Sequence, residues 1–88
     1  MYYVYVLWSN KLQKRYVGST DNVEKRIKGH NYGSSKFTKG GIPWYLIHEE
    51  VFSSKSEALK REKFLKSGQG RAWLDKKFPQ FRKGAGVV

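Results

Sequence analysis

The sequence predicts a small α+β domain: a three-stranded, mainly antiparallel sheet flanked by helices, in the order β-β-α-β-α with a short further helix. Three observations predict it. Two runs rich in aromatic and β-branched residues, 2–8 and 15–18, stand close enough to read as an antiparallel hairpin. Two pairs with capping-box spacing, Asp21 with Glu24 and Ser54 with Glu57, each precede a helical pattern. The length of 88 residues, 39% hydrophobic and 16% aromatic, supplies one core and not two. A single domain is therefore expected over residues 1–80, with 81–88 as a flexible basic C-terminal tail.

Each element follows in turn. Residues 2–8 form a strand buried on at least one face, and Ser9-Asn10-Lys11 begins the connection to Arg15-Tyr16-Val17-Gly18. Asp21 caps a helix over 22–30. A glycine-dotted loop carrying Lys36 and Lys39 spans 31–41, and 43–52 reads as the third strand, with Trp44, Leu46, Val51 and Phe52 as its apolar positions. Ser54 opens a helix that reaches Lys66 and stops at Gly68. Residues 71–78 add a short helix whose Trp73, Leu74 and Phe78 close the core.

The charge is one-sided. Eighteen Lys and Arg against seven Asp and Glu leave +11 at neutral pH. Before His48 the acids are Asp21 and Glu24, set among Lys11, Lys14, Arg15, Lys25, Arg26, Lys28, Lys36 and Lys39. Such a field attracts polyanions, nucleic acid foremost. Solubility alone is the rival explanation, although a small domain needs a net charge of only about 2–8 for that. The absence of cysteine excludes a disulfide scaffold, a zinc finger and thiol catalysis. No apolar run of about 18 residues or signal-like start is present, so a cytoplasmic protein without a membrane partner is expected. Motifs for zinc proteases, nucleoside triphosphatases and dinucleotide binding are missing.

Three polar features break the apolar pattern. At about 100° per residue, Ala58, Leu59 and Leu65 define one face of the second long helix, and Glu62 falls about 40° from Ala58, inside that stripe. A carboxylate there needs a partner: Lys66 in an ion pair, or a metal ion, or a proton to abstract. On the first helix, Arg26 and His30 flank the seam set by Val23 and Ile27. They are either a helix edge with a C-terminal histidine or a phosphate-recognising pair. Tyr3, Tyr5 and Tyr16 sit in the hairpin, as core or as hydroxyls in need of partners. Gly18 allows a turn or a close approach.

Together these residues resemble the GIY-YIG nuclease family. Tyr3-Val4-Tyr5, Tyr16-Val17-Gly18, Arg26, His30 and Glu62 match its elements in order and interval over most of the chain. Thr38 and Pro43-Trp44-Tyr45-Leu46 are similar to the small single-domain endonuclease type, which is related to the nuclease domain of the bacterial excision-repair machinery. Tyr3 replaces the motif's Gly, Val4 and Val17 each replace Ile, and no Asn follows Asn31 where some members carry one.

The resemblance implies a divalent-metal-dependent endonuclease that hydrolyses DNA phosphodiesters, structure-directed or of low sequence specificity, in DNA repair or recombination. It implies Glu62 as the protein ligand of Mg²⁺ or Mn²⁺ and Arg26 on the scissile phosphate. Tyr16 is implied as general base, with Tyr5 and His30 positioning or relaying protons. A phenol of pKa about 10 is ionised to about one part in a thousand at pH 7, so the base role needs nearby positive charge. Lys14, Arg15, Lys25, Lys36 and Lys39 are expected to meet DNA phosphates. The natural DNA would be branched or damaged, or a protein partner would supply the target. Two alternatives stay open: a non-catalytic nucleic-acid-binding module of the same fold, and a basic structural protein of a ribonucleoprotein.

Overall fold

The aromatic run at the start of the chain becomes the central strand. In the computed structural model, which describes residues 1–34 and 36–82, β1 (Tyr2–Ser9) lies between β2 (Lys14–Thr20) and β3 (Trp44–Phe52). Both pairings are antiparallel, with Tyr5 opposite Gly18 and Leu7 opposite Tyr16, and a register shift on the β3 side between Val6 and Leu7. The helices are α1 (Val23–Tyr32), α2 (Lys55–Lys66) and α3 (Gly68–Lys77), with single 3₁₀ turns at Lys39–Gly41 and Pro79–Phe81. The expected α+β class and antiparallel sheet are both found.

Alternation along β1 separates two cores. Val4 and Val6 pack with Val17, Ala58, Leu65 and Leu74, beneath α2 and α3. Tyr5 and Leu7 point the other way and pack with Trp44, Tyr16, Val23 and Ile27, beneath α1. The sheet is thus covered on both faces, and β2 forms one of its edges.

Several boundaries differ from the expectation, each for a local reason. Asn22, not Asp21, caps α1: its side-chain oxygen accepts the Lys25 N–H at 3.1 Å, and Asp21 stays exposed. The helix runs past His30 to Tyr32 because Gly33, at φ 87°, provides the left-handed terminus that a β-carbon would oppose. Ser54 caps α2 as expected, accepting from Glu57 N. Gly68 does not stop α2. Ser67 both ends that helix and caps the next, accepting from Gly70 N, so α3 starts three residues earlier than expected. Leu59 is solvent-facing rather than core, and so are Leu46 and Val51, which lie on the outer strand β3. Phe81, expected to begin the tail, is docked on Trp8 with ring centroids 5.7 Å apart. The rest of that tail, from residue 83, lies outside the described residues.

Candidate active site

The fold gathers Tyr5, Tyr16, Arg26 and His30 from three elements onto the α1 face. The hairpin register sets Tyr16 two residue pairs along from Tyr5, on the same face of the sheet, and their ring centroids are 6.3 Å apart. Gly18, opposite Tyr5, is required by that closeness: a β-carbon there would stand 2.5 Å from the Tyr5 hydroxyl. Arg26 and His30 are one helical turn apart on α1 and therefore project from the same face.

His30 is almost fully buried, and each ring nitrogen is engaged. Nε2 lies 3.0 Å from the Tyr5 hydroxyl and Nδ1 2.8 Å from Thr38 Oγ1. Arg26 Nε donates a long hydrogen bond to the Tyr5 oxygen at 3.4 Å. Since that oxygen accepts from a guanidinium, its own proton is free to be donated to His30 Nε2. The network then assigns His30 as the neutral Nδ1–H tautomer, donating to Thr38. The electrostatics agree. Burial and the neighbouring Arg26 hold the His30 pKa below the usual 6.5. Burial raises the Tyr5 phenol above its usual range; the hydrogen bond from Arg26 opposes this, while the charges of Tyr16 and Glu62 add to it. Contact with Tyr5 first, and with Tyr16 as well, strengthens the protonated form of Arg26. At neutral pH the cluster is a neutral phenol, a neutral imidazole and a fixed cation.

Glu62 approaches from the other side of the sheet, over the β2 edge. Its Oε1 accepts the Ser19 hydroxyl at 2.6 Å, and Lys66 Nζ sits on Oε2 at 2.5 Å, with the carboxylate side chain 18% exposed. The ion pair anticipated from the i,i+4 spacing is therefore present. Among the described residues no group of three or more His, Cys, Asp or Glu gathers. A lone carboxylate with a hydroxyl beside it is an all-oxygen donor set. It suits Mg²⁺ or Mn²⁺, which keep several waters and take further oxygens from a phosphate. The residues fit such an ion.

Of the five cations expected to meet DNA, Lys14, Lys25, Lys36 and Lys39 are exposed. Arg15 is not available. Its Nη1 is bound to Asp75 at 2.7 Å and to the Phe81 carbonyl, so it pins α3 and the following turn to β2. Three supporting residues had no role assigned from sequence. Thr38 holds His30 and, through its carbonyl, the Trp44 indole at 2.6 Å. Ser19 holds Glu62. Asn31 pairs with the backbone of Trp44 through both its amide atoms, fixing α1 to the start of β3. Each is a small polar residue beside a motif, and only the folded contacts distinguish it from ordinary loop composition.

A family profile described as the GIY-YIG catalytic domain matches residues 1–76. The chain belongs to the GIY-YIG family. Relatives include the UPF0213 protein of Clostridium perfringens, 46% identical over 67 residues that cover 75% of this chain and 71% of the relative. The UPF0213 protein of Staphylococcus haemolyticus is 46% identical over 67 residues, covering 75% and 80% respectively. The solution structure of a UPF0213 protein from Bacillus halodurans superposes with a TM-score of 0.53 at 34% identity, covering 88% of this chain and 85% of the other. This GIY-YIG domain thus carries the fold of a nuclease family whose members are generally metal-dependent and act on DNA. No helix among its described residues is long and apolar enough to cross a membrane.

Proposed function

We propose that this chain is a divalent-metal-dependent endonuclease that hydrolyses DNA phosphodiesters, with residues 1–80 as its single catalytic domain. The observation that carries the proposal is the convergence of Tyr5, Tyr16, Arg26 and His30 around one hydroxyl, with Arg26 bonded to Tyr5. Arg26 is the fixed cation of the group, placed to hold a scissile phosphate and stabilise its developing charge. Tyr16 is the phenol beside that cation, placed to take the proton of an attacking water. Tyr5 and His30 keep their protons ordered along a line ending at Thr38, which fixes the geometry at Arg26 and Tyr16. Glu62, with Ser19 orienting it, would hold Mg²⁺ or Mn²⁺; when bound, the ion supplies Lewis acidity toward the phosphate and charge for the leaving oxygen. Exposed Lys25, Lys36 and Lys39 give sequence-independent attraction to the backbone. The activity we infer is structure-directed or low-specificity cutting, in repair or recombination, with a protein partner as the source of any further target choice.

Supercoiled and branched DNA, incubated with Mn²⁺ or Mg²⁺, test the proposal. Cleavage by the wild type that Tyr16→Phe, Arg26→Ala and Glu62→Gln each abolish is expected. Cleavage retained by all three variants would misassign the site. Tight binding without cleavage of any branched or damaged DNA would leave a binding module instead.

A further inference from the structure

Two aromatic rings that the proposed mechanism leaves unused are almost wholly in water. Tyr32, the last residue of α1, is 92% exposed and Phe37 is 93% exposed. Leu12, Tyr45, Leu46, Val51 and Leu59, at 39–57%, are each partly covered by their neighbours. Exposed apolar surface of this kind marks a contact with something outside the chain. Neither ring hangs from a loose segment. Thr38, directly after Phe37, is fully buried: its hydroxyl meets His30, and its carbonyl accepts the Trp44 indole at 2.6 Å and the Gly41 N–H at 3.1 Å. Behind Tyr32, the N–H groups of Gly33 and Ser34 close onto the carbonyls of His30 and Gly29. The two rings therefore stand on the two segments that the hydrogen bond between His30 and Thr38 joins, Phe37 one residue from that bond and Tyr32 two.

Their setting is cationic. From residue 25 to residue 48 the sequence holds five Lys and Arg and no acid. Lys36 and Lys39, both exposed, flank Phe37. A partner that satisfies rings set among lysines carries anionic groups with apolar faces between them, which is the make-up of nucleic acid. A duplex offers its phosphates at the surface but keeps its base faces inside the stack. Rings beside phosphate-binding lysines are buried most fully when they enter the minor groove and part a base step.

We propose that Phe37 is a wedge that opens one base step of duplex DNA beside the bond to be cut, with Tyr32 against the sugars of the same groove and Lys36 and Lys39 on the flanking phosphates. The inference rests on the nuclease reading for the identity of the polyanion and adds to it the way the duplex is gripped. Opening a step costs least at flexible pyrimidine–purine steps, so those sites are preferred without any base-specific hydrogen bond.

The test uses the full chain in EDTA, where no cutting is needed, and a short duplex with a donor and an acceptor dye at its ends. The wild type kinks the duplex by about 20–90°, as apolar wedges do. Phe37→Ala binds about tenfold more weakly and Tyr32→Ala about threefold. Phe37→Ala also leaves the bound duplex straight, with the slope of log Kd against log salt unchanged. Lys36→Ala with Lys39→Ala lowers that slope by about two and keeps the kink in the bound DNA. Val51→Ser, at an exposed apolar position on β3, alters neither. A duplex left straight by the wild type, or wild-type affinity in Phe37→Ala, overturns the proposal. Phe37-dependent binding to phosphatidylglycerol vesicles together with a straight duplex overturns it in favour of a lipid surface. A protein that kinks DNA through Phe37 but cuts none with Mg²⁺ or Mn²⁺ upholds the wedge while refuting the nuclease reading. One that cuts while leaving the duplex straight does the reverse.

Discussion

The two faces of the sheet are stabilised in different ways. Beneath α2 and α3 the buried side chains are aliphatic: Val4, Val6, Val17, Ala58, Leu65 and Leu74. Beneath α1 they are Tyr5, Leu7, Trp44 and His30, and three of these four carry polar atoms. The aliphatic face needs only volume. The aromatic face needs every hydroxyl and ring nitrogen matched, and among the described residues no buried side-chain nitrogen or oxygen lacks a partner. Volume tolerates repacking, whereas a hydrogen-bonded chain fixes angle and distance. That difference makes the aromatic face the better mount for chemistry.

Both faces are also closed by a histidine, in opposite ways. His30 is enclosed by a phenol and a threonine. His48 bonds Glu50 at 2.7 Å, and the same carboxylate receives Arg61 through two nitrogens, with Arg61 stacked between Phe64 and Trp73. Burial pushes the Glu50 carboxyl up, but the hydrogen bonds from Arg61 and His48 outweigh this and hold it below the usual range. Glu50 thus ties β3 to α2 as a clasp with its acceptors committed, while Glu62 keeps one oxygen on the half-exposed Lys66 within its own helix.

The largest expected effect comes from breaking the aliphatic face. Leu65→Ala should cost about 2–5 kcal/mol of stability, read from urea unfolding, since the side chain is fully buried. Arg26→Ala should do the converse: cleavage falls about 10²–10³-fold, as for loss of one charge-stabilising donor. Its unfolding midpoint stays close to the wild type because the side chain lies at an exposed position. Tyr5→Phe is intermediate. It leaves His30 Nε2 buried without its partner and should cost about 1–3 kcal/mol, with a lower thermal midpoint as the readout.

Acid separates the faces by window. The folded His30 pKa lies below 6.5, so its contribution is complete above 6.5 and is lost as pH falls from there through the folded value, where the unfolded chain takes up a proton first. The Glu50 contribution is complete above its unfolded value near 4.5 and is lost as pH falls through its lower folded value. Urea midpoints measured against pH should therefore decline in two stages, with His30→Gln flattening the first and Glu50→Gln the second. The smallest effect belongs to the exposed pair of Glu24 with Lys28: Glu24→Gln should shift stability by at most about 0.5 kcal/mol, checked by the same titration.

Much of the site was legible before the fold. Periodicity leaves Tyr5, Tyr16, Arg26 and His30 open between core, helix edge and site, and the resemblance to the family is what singles them out. Glu62 was marked in the same way, and its ion pair with Lys66 by the i,i+4 spacing. Gly68 misled because a glycine after a helical run reads as a stop, whereas Ser67 can end one helix and cap another in the same turn. Arg15 misled because composition counts charge but does not show that Asp75, on a distant helix, claims it. Leu59 and Leu46 were expected inside because periodicity defines a face without fixing how much of it is covered.

The sequence by itself determined the alternation of β1, the presence of the helices with the Ser54 cap, and the basic surface, since each depends on neighbours within a few positions. The tertiary structure alone decided that His30 is neutral between Tyr5 and Thr38, that Ser19 orients Glu62, that Asn31 locks α1 to β3, and that Arg15 serves the fold. Those outcomes depend on contacts between residues far apart in the chain, and burial and hydrogen bonding act only once the sheet and helices have brought them together.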